Sequence, residues 1–273
     1  MRPLTLRFHP SALRMNVEVF FTANSPSEDD LRGTTVVAID VLRACSTIVT
    51  ALANGAKAVI PVSDMVQAGR LAANLDADTG LLGGERGGKR IDGFQVGNSP
   101  AEYTPEAVHD RTVVLTTTNG TQTIAQAKQA HAVTVGCFLN ASRVIDFLRT
   151  CETDIVLHCA GWQGRIALED TLFAGYVLHR LWDGTVPADA TDACRIAHAQ
   201  YRADRRRLAK ALKESEHARR LIGLGQGADL DYCATMDAVP VLPLFHDNRL
   251  LLDGEDKVVA EQTLAERVAS TES

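Results

Sequence analysis

Asp40 closes the apolar run Thr35 to Ile39 and is followed within seven residues by Arg43, Ser46 and Thr47. A carboxylate at a strand end can ligate a hard cation, and an arginine three residues on can hold phosphate oxygens. An Asp40–Arg43 ion pair of purely structural value is the competing reading. A second group lies in LTTTNGT, residues 115–121, between the run Thr112 to Val114 and the helical pattern TIAQAKQA. It offers the hydroxyls of Thr116, Thr117, Thr118 and Thr121 with Asn119. It also has a glycine, Gly120, that lets a ligand approach the backbone. At a helix start the unpaired N–H groups and the helix dipole favour an anion. The segment is therefore either a capped turn or an anion cradle. A third group, LLGGERGGKRIDGFQVGNSPAEY, carries Glu85, Arg86, Lys89, Asn98 and Ser99 among six glycines. It reads as a glycine-rich loop with chemistry-bearing side chains. A fourth, after the run DIVLHCAG, carries Gly161, Gly164, Glu169 and Asp170.

Carboxylates offered without a His or Cys cluster suit Mg²⁺ rather than zinc. Arginine and free amides suit phosphate. Together they imply a Mg²⁺-dependent, phosphate-handling site. The sequence has no GxxxxGK[ST] loop, no GxGxxG opening a helix after a strand and no GxSxG elbow, which argues against a P-loop, a dinucleotide fold and a serine hydrolase.

Such residues must be brought together by strand ends. Short β-branched runs alternate with helical patterns: TVVAID, AKAVIPV, TVVLTT, AVTVGCF and DIVLHCAG each lead through polar residues into a helix. That grammar predicts βα units and a mostly parallel, covered sheet whose ligands gather at the carboxyl ends of the strands. VEVFFTA, after Met15, reads as the first strand, and Ser63 or Asp64 as the N-cap of VQAGRLAANL. Residues 189–222 are helix-rich and free of strand patterns. Nine Lys or Arg against three Asp or Glu between 195 and 220 suggest a solvated helix face, or a lid facing the substrate. VPVLPLF, with two prolines, reads as an edge strand or covering segment. Residues 1–14 are expected to be an extension, 15–260 one domain, and 261–273 a frayed tail.

The net charge of −6 over 273 residues excludes the basic footprint of a nucleic-acid binder. No apolar run reaches the roughly 18 residues that span a bilayer. The N-terminus lacks the apolar core of a signal peptide. Six cysteines without a CxxC pair read as buried free thiols. These features point to a cytoplasmic protein, and apolar helix faces are compatible with a homodimer.

IDVLRACST (39–47), LGGERGGKRIDGFQVGNSPAEY (82–103), TTTNGT (116–121), CAGWQGRIALEDTLFAG (159–175) and the later SEHARRLIGLGQGADLDYCATMD occur in an order and spacing that resembles the 2-phosphosulfolactate phosphatases, the ComB family. The resemblance covers roughly residues 15 to 250. It implies a three-layer α/β/α fold with a mostly parallel or mixed sheet. It also implies Mg²⁺-dependent hydrolysis of phosphate esters of 2-hydroxy acids, with 2-phospho-3-sulfolactate giving sulfolactate and phosphate on a route to coenzyme M or sulfolactate. Two positions depart from the family pattern: Cys45, where a small hydroxyl residue is commoner, and Gln95, where the GFD-like block has Asp. On this reading Asp40, Glu85 and Asp170 ligate the metal. Asp40, Arg43 and Glu169 carry the catalysis, with Glu169 orienting the water or Asp40 attacking directly. Ser46, Thr47, Arg86, Asn98, Ser99, Thr117, Thr118, Asn119, Gly120 and Thr121 bind the small anionic substrate, and Arg86, Lys89 and Arg165 are candidates for its acidic groups. Another phosphate-transfer enzyme, such as a sugar or hydroxy-acid kinase, and a non-catalytic binder of anionic metabolites are the rival classes.

Overall fold

The computed structural model of the chain describes residues 15–74 and 79–271, so the expected extension at 1–14 lies outside the described residues. Ten strands are found there: β1 (Val17–Phe20), β2 (Thr35–Ile39), β3 (Ala58–Pro61), β4 (Gly80–Arg86), β5 (Lys89–Arg90), β6 (Thr112–Thr116), β7 (Ala132–Gly136), β8 (Ile155–Cys159), β9 (Leu244–His246) and β10 (Arg249–Leu251). The first helices are α1 (Glu28–Leu31), α2 (Ala44–Ala53), α3 (Met65–Ala73), α4 (Pro105–Val108), α5 (Gly120–Gln126) and α6 (Ala141–Thr150). Then follow α7 (Leu168–Leu181), α8 (Asp192–Asp204), α9 (Leu208–Lys213), α10 (Glu216–Gly223), α11 (Ala228–Cys233) and α12 (Gly254–Thr271). The architecture is three-layer α/β/α, with the sheet order β1-β8-β2-β7-β9-β10-β3-β6-β4-β5.

Two parallel blocks make up this mixed sheet. In one, β2 lies between β8 and β7, with β1 outside. In the other, β6 lies between β3 and β4. Every residue of β2 and β8 is buried, as expected of strands covered on both faces. All ten residues of α2 are buried too, so this helix runs through the interior rather than over the surface. Full burial of each large aliphatic side chain is worth about 1.5–3 kcal/mol, which makes the sheet and α2 a stiff frame for the loops at the strand ends.

Several sequence expectations hold. Asp64 caps α3 by accepting from the Val66 amide at 2.6 Å. All six cysteines are free, and only Cys151 is even partly exposed. The 189–222 stretch forms α8, α9 and α10 without a strand.

Two expectations are corrected. The glycine-rich segment around Glu85 is not a loop. Its first half is β4, parallel to β6, and Gly87–Gly88 is the two-residue turn to β5, both with positive φ as such a hairpin requires. VPVLPLF does not form an edge strand. It leads into the β9–β10 hairpin, which pairs antiparallel in the middle of the sheet, through Thr134–Leu244 on one side and Val59–Leu250 on the other. Its prolines precede the paired residues, so no ladder hydrogen bond is lost. Helix α12 runs Gly254–Thr271.

Candidate active site

The carboxyl ends of β2, β4 and β6 converge on a cavity of about 90 Å³. Asp40, Arg43, Glu85, Asn98, Thr117, Thr118 and Asn119 line one side, and Trp162, Gln163, His217, Arg220 and Leu221 the other. The volume is far below the roughly 300–1,000 Å³ of pockets for drug-sized ligands, so the site suits a compact metabolite. A larger cavity of about 910 Å³ lies beside β1 and the start of β8, remote from these strand ends.

Asp40 follows β2 directly, and its Oδ1 accepts the Ala44 amide at 3.2 Å where α2 begins. Burial pushes its carboxyl up to about 6. His217 and the Ala44 amide oppose that shift, and the nearby Glu85 and Glu169 add to it. Gly120 packs against it: a Cβ there would collide with Asp40 Oδ2 and with the Ala44 methyl. Arg43 follows a cis Leu42–Arg43 peptide, is 2 % exposed and donates to Asp229 Oδ2 at 2.6 Å. Ser99 Oγ donates to the other oxygen of Asp229, also at 2.6 Å.

The TTTNGT segment answers its two readings with a division of labour. The Thr117 amide donates to Thr121 Oγ1, and the Thr121 amide to Thr117 Oγ1. Glu85 Oε1 accepts both the amide and the hydroxyl of Thr118, at 2.7 and 2.8 Å, and Glu85 Oε2 accepts the Gly88 amide at 2.7 Å. The threonines are thus spent on holding the loop. The Asn119 and Gly120 amides have no acceptor among the described residues and remain for an anion.

The opposite side was largely missed from the sequence. Helix α10, capped by Ser215 Oγ on the Ala218 amide, presents His217, Arg220 and Leu221 on one face, at i, i+3 and i+4. His217 Nδ1 lies 3.0 Å from Glu169 Oε1, and its ring stacks on Trp162 at 5.4 Å. Arg165 covers the Trp162 ring and pairs with Glu216 at 2.8 Å, tying the 162–165 turn to α10. The signal for this wall was present in the 217–221 spacing, but the surrounding positive charge reads more readily as a solvated face.

Other expected site residues stand elsewhere. Ser46 and Thr47 are buried and donate to the carbonyls of Val41 and Asn98, so they shape α2 rather than face a substrate. Arg86 is spent on the Glu85 carbonyl and Thr116 Oγ1. Lys89 sits on exposed β5. Asp170 accepts the Val41 amide at 2.9 Å and the Gly161 amide at 3.0 Å, which fixes the backbone behind Asp40 instead of lining the cavity. Burial, then Asp40 and Glu169, push its carboxyl well above the usual range. Glu169 is 1 % exposed and reaches the cavity only through His217. The two departures from the family pattern lie outside the chemistry. Gln95 Oε1 accepts the Leu82 amide on β4, and the Cys45 thiol, pushed well up by burial, donates to the Ala38 carbonyl.

The donor set fits a hard cation. Asp40, Glu85, Glu169 and Asp170 crowd one region, while the Arg43 guanidinium is already paired with Asp229. Asn98 Oδ1 and Glu169 Oε2 are buried oxygens without a hydrogen-bond partner. No group of three or more His, Cys, Asp or Glu side chains arranged to hold a metal occurs among the described residues. A Mg²⁺ ion asks for less, since it commonly takes one or two carboxylates and completes its shell with water and phosphate. Asp40 and Glu85, with Asn98 Oδ1, are the residues that would hold it.

Strand-end carboxylates, a glycine-backed pair of free amides and a histidine oriented by a buried glutamate define an α/β enzyme acting on a small anion. The comparisons with known proteins agree. Residues 20–248 match the model of the 2-phosphosulpholactate phosphatase family, and the chain belongs to it: it is a phosphoric monoester hydrolase. It is 40 % identical to a probable 2-phosphosulfolactate phosphatase of Caldanaerobacter subterraneus subsp. tengcongensis, over 84 % of this chain and 95 % of that one. Proteins of the same description from Thermotoga petrophila (43 %, over 77 % of this chain and 88 % of that one) and Clostridium beijerinckii (33 %, over 86 % and 99 %) are also similar. No helix of the described residues is long and apolar enough to cross a membrane.

Proposed function

We propose that the chain is a Mg²⁺-dependent phosphatase of phosphorylated 2-hydroxy acids, with 2-phospho-3-sulfolactate as its foremost substrate and sulfolactate and phosphate as products. The observation that carries this reading is the approach of Asp40 to Gly120, which sets a buried carboxylate beside the two unpaired amides of Asn119 and Gly120. Such amides suit phosphoryl oxygens, and the small cavity suits a substrate of few atoms. When bound by Asp40, Glu85 and Asn98, Mg²⁺ would neutralise charge on the transferring phosphoryl group. Arg43, oriented by Asp229, presents its remaining N–H groups to the same oxygens.

His217 handles the proton. Its Nδ1–H is donated to Glu169, which leaves the Nε2 lone pair to take a proton from an attacking water. The water oxygen bonds to phosphorus, the P–O ester bond breaks on the far side, the released 2-oxyanion takes a proton from solvent, and protonated His217 returns its own proton to solvent. Glu169 thereby acts through His217 rather than on the water. A place in sulfolactate or coenzyme M formation follows from the product.

Phosphate release from 2-phospho-3-sulfolactate, 2-phospholactate and 2-phosphoglycolate, with Mg²⁺ and then with EDTA, tests the proposal. Turnover with Mg²⁺ and its loss in EDTA are expected. Absence of turnover on all three with Mg²⁺ present would sink it.

A further inference from the structure

We infer that Arg220 is the residue that reads the second acidic group of the substrate, the carboxylate or sulfonate that accompanies the phosphate. The inference rests on the phosphatase reading and deepens it.

Three cationic or potentially cationic side chains line the cavity: Arg43, His217 and Arg220. Two of them already have a carboxylate partner and, on the phosphatase reading, a role at the phosphate. Arg43 is buried against Asp229, and His217 is held by Glu169. Arg220 alone among them has no carboxylate within ion-pair distance and no side-chain hydrogen bond among the described residues. Its basic neighbours are occupied. Arg165 pairs with Glu216, and Arg219 donates to the Glu214 carbonyl. Arg220 nevertheless shares the cavity-facing side of α10 with His217 and Leu221.

The placement is also complementary. The Asn119 and Gly120 amides belong to the β6–α5 wall, whereas Arg220 projects from α10. A phosphate on the amides leaves an adjacent acidic group on a two- or three-carbon skeleton facing α10 in a cavity of about 90 Å³. A guanidinium meets a planar carboxylate or a sulfonate with paired N–H donors, and an unpaired one loses no existing partner by doing so. Arg86, Lys89 and Arg165, the candidates from sequence, do not line the cavity. Arg220 is exposed, so its contribution belongs at the lower end for a charge-assisted hydrogen bond.

The test compares 2-phospholactate with isopropyl phosphate, in which a methyl replaces the carboxylate, for the full-length wild type, Arg220→Ala and Arg220→Lys. In Arg220→Ala the ratio of kcat/KM for the two substrates should fall about tenfold, through KM for 2-phospholactate, with Arg220→Lys intermediate. An unchanged ratio would overturn the assignment. A calorimetric titration with 3-sulfolactate, which lacks phosphate, separates this inference from the reading beneath it. Its affinity should fall about tenfold in Arg220→Ala while that for inorganic phosphate is kept. If the wild type hydrolyses neither ester, the titration decides alone, and turnover of 2-phospho-3-sulfolactate decides the phosphatase reading. Equal sulfolactate affinity in wild type and Arg220→Ala then removes Arg220 from the site.

Discussion

The wall of the cavity formed by residues 85–88 and 117–120 is held by three hydrogen bonds to the buried Glu85, whereas the wall formed by 162–165 and α10 has one bond to a buried group, His217 to Glu169, and otherwise ring stacking and an exposed ion pair. On the first wall Glu85 alone anchors three donors, and Gly120 is packed against Asp40. On the second, Arg165 and Glu216 are each more than half exposed. An anchored wall keeps reacting groups in place, which phosphoryl transfer needs, since catalysis there is mostly positioning and charge. A wall with weaker ties can adjust to the varying acid portion of the substrate.

Variants test the contrast. Asp40→Asn should lower kcat by about 1,000-fold or more, since it weakens cation binding at the centre of the anchored wall. Near wild-type turnover would remove Asp40 from the chemistry. His217→Ala should cost roughly 100- to 1,000-fold in kcat, and Glu169→Gln less, since Glu169 orients the ring without touching substrate. Equal losses would merge the two roles. Gly120→Ala should cost about 100-fold in kcat/KM with the fold retained, because the added methyl displaces Asp40.

A thermodynamic check on Asp40 follows from its raised pKa. The folded state holds its proton up to about 6 against an ordinary value of 3.8, so its ionisation disfavours folding as pH rises through that window. Asp40→Asn should therefore stabilise the metal-free protein at pH 8, by up to about 3 kcal/mol, and leave it unchanged at pH 3. Urea unfolding in EDTA at both pH values measures this, and an equal effect at both would refute a buried, ionised Asp40. The smallest effect is expected on the second wall. Arg165→Ala should change stability by less than about 1 kcal/mol, because the ion pair is exposed, and shift KM by only a few-fold.

The anchored wall was legible in the sequence because its residues follow strands. Asp40, Thr117 and Asn119 stand directly after β-branched runs, where α/β sheets place ligands. Which of them face the cavity was not legible. Ser46, Thr47 and Asp170 have suitable chemistry, but their polar atoms are consumed by backbone groups, and only packing determines that. Helix α10 of the second wall lies some 180 residues from Asp40 in the chain, in a charged segment without strand landmarks. Nothing local distinguishes a helix that faces a site from one that faces water. The β9–β10 hairpin was hidden for a related reason: three-residue strands carry too little periodicity to announce themselves.

That hairpin also has a consequence for biosynthesis. Its strands are translated after the other eight of this sheet, yet they fill the middle of it between β7 and β3. Until residue 251 has left the ribosome, both of those strands present unpaired edges, the kind of template on which chains aggregate. Domains that depend on such distant pairings fold slowly. Synthesis of this enzyme should therefore depend on the cell's capacity to shield those edges until the hairpin emerges.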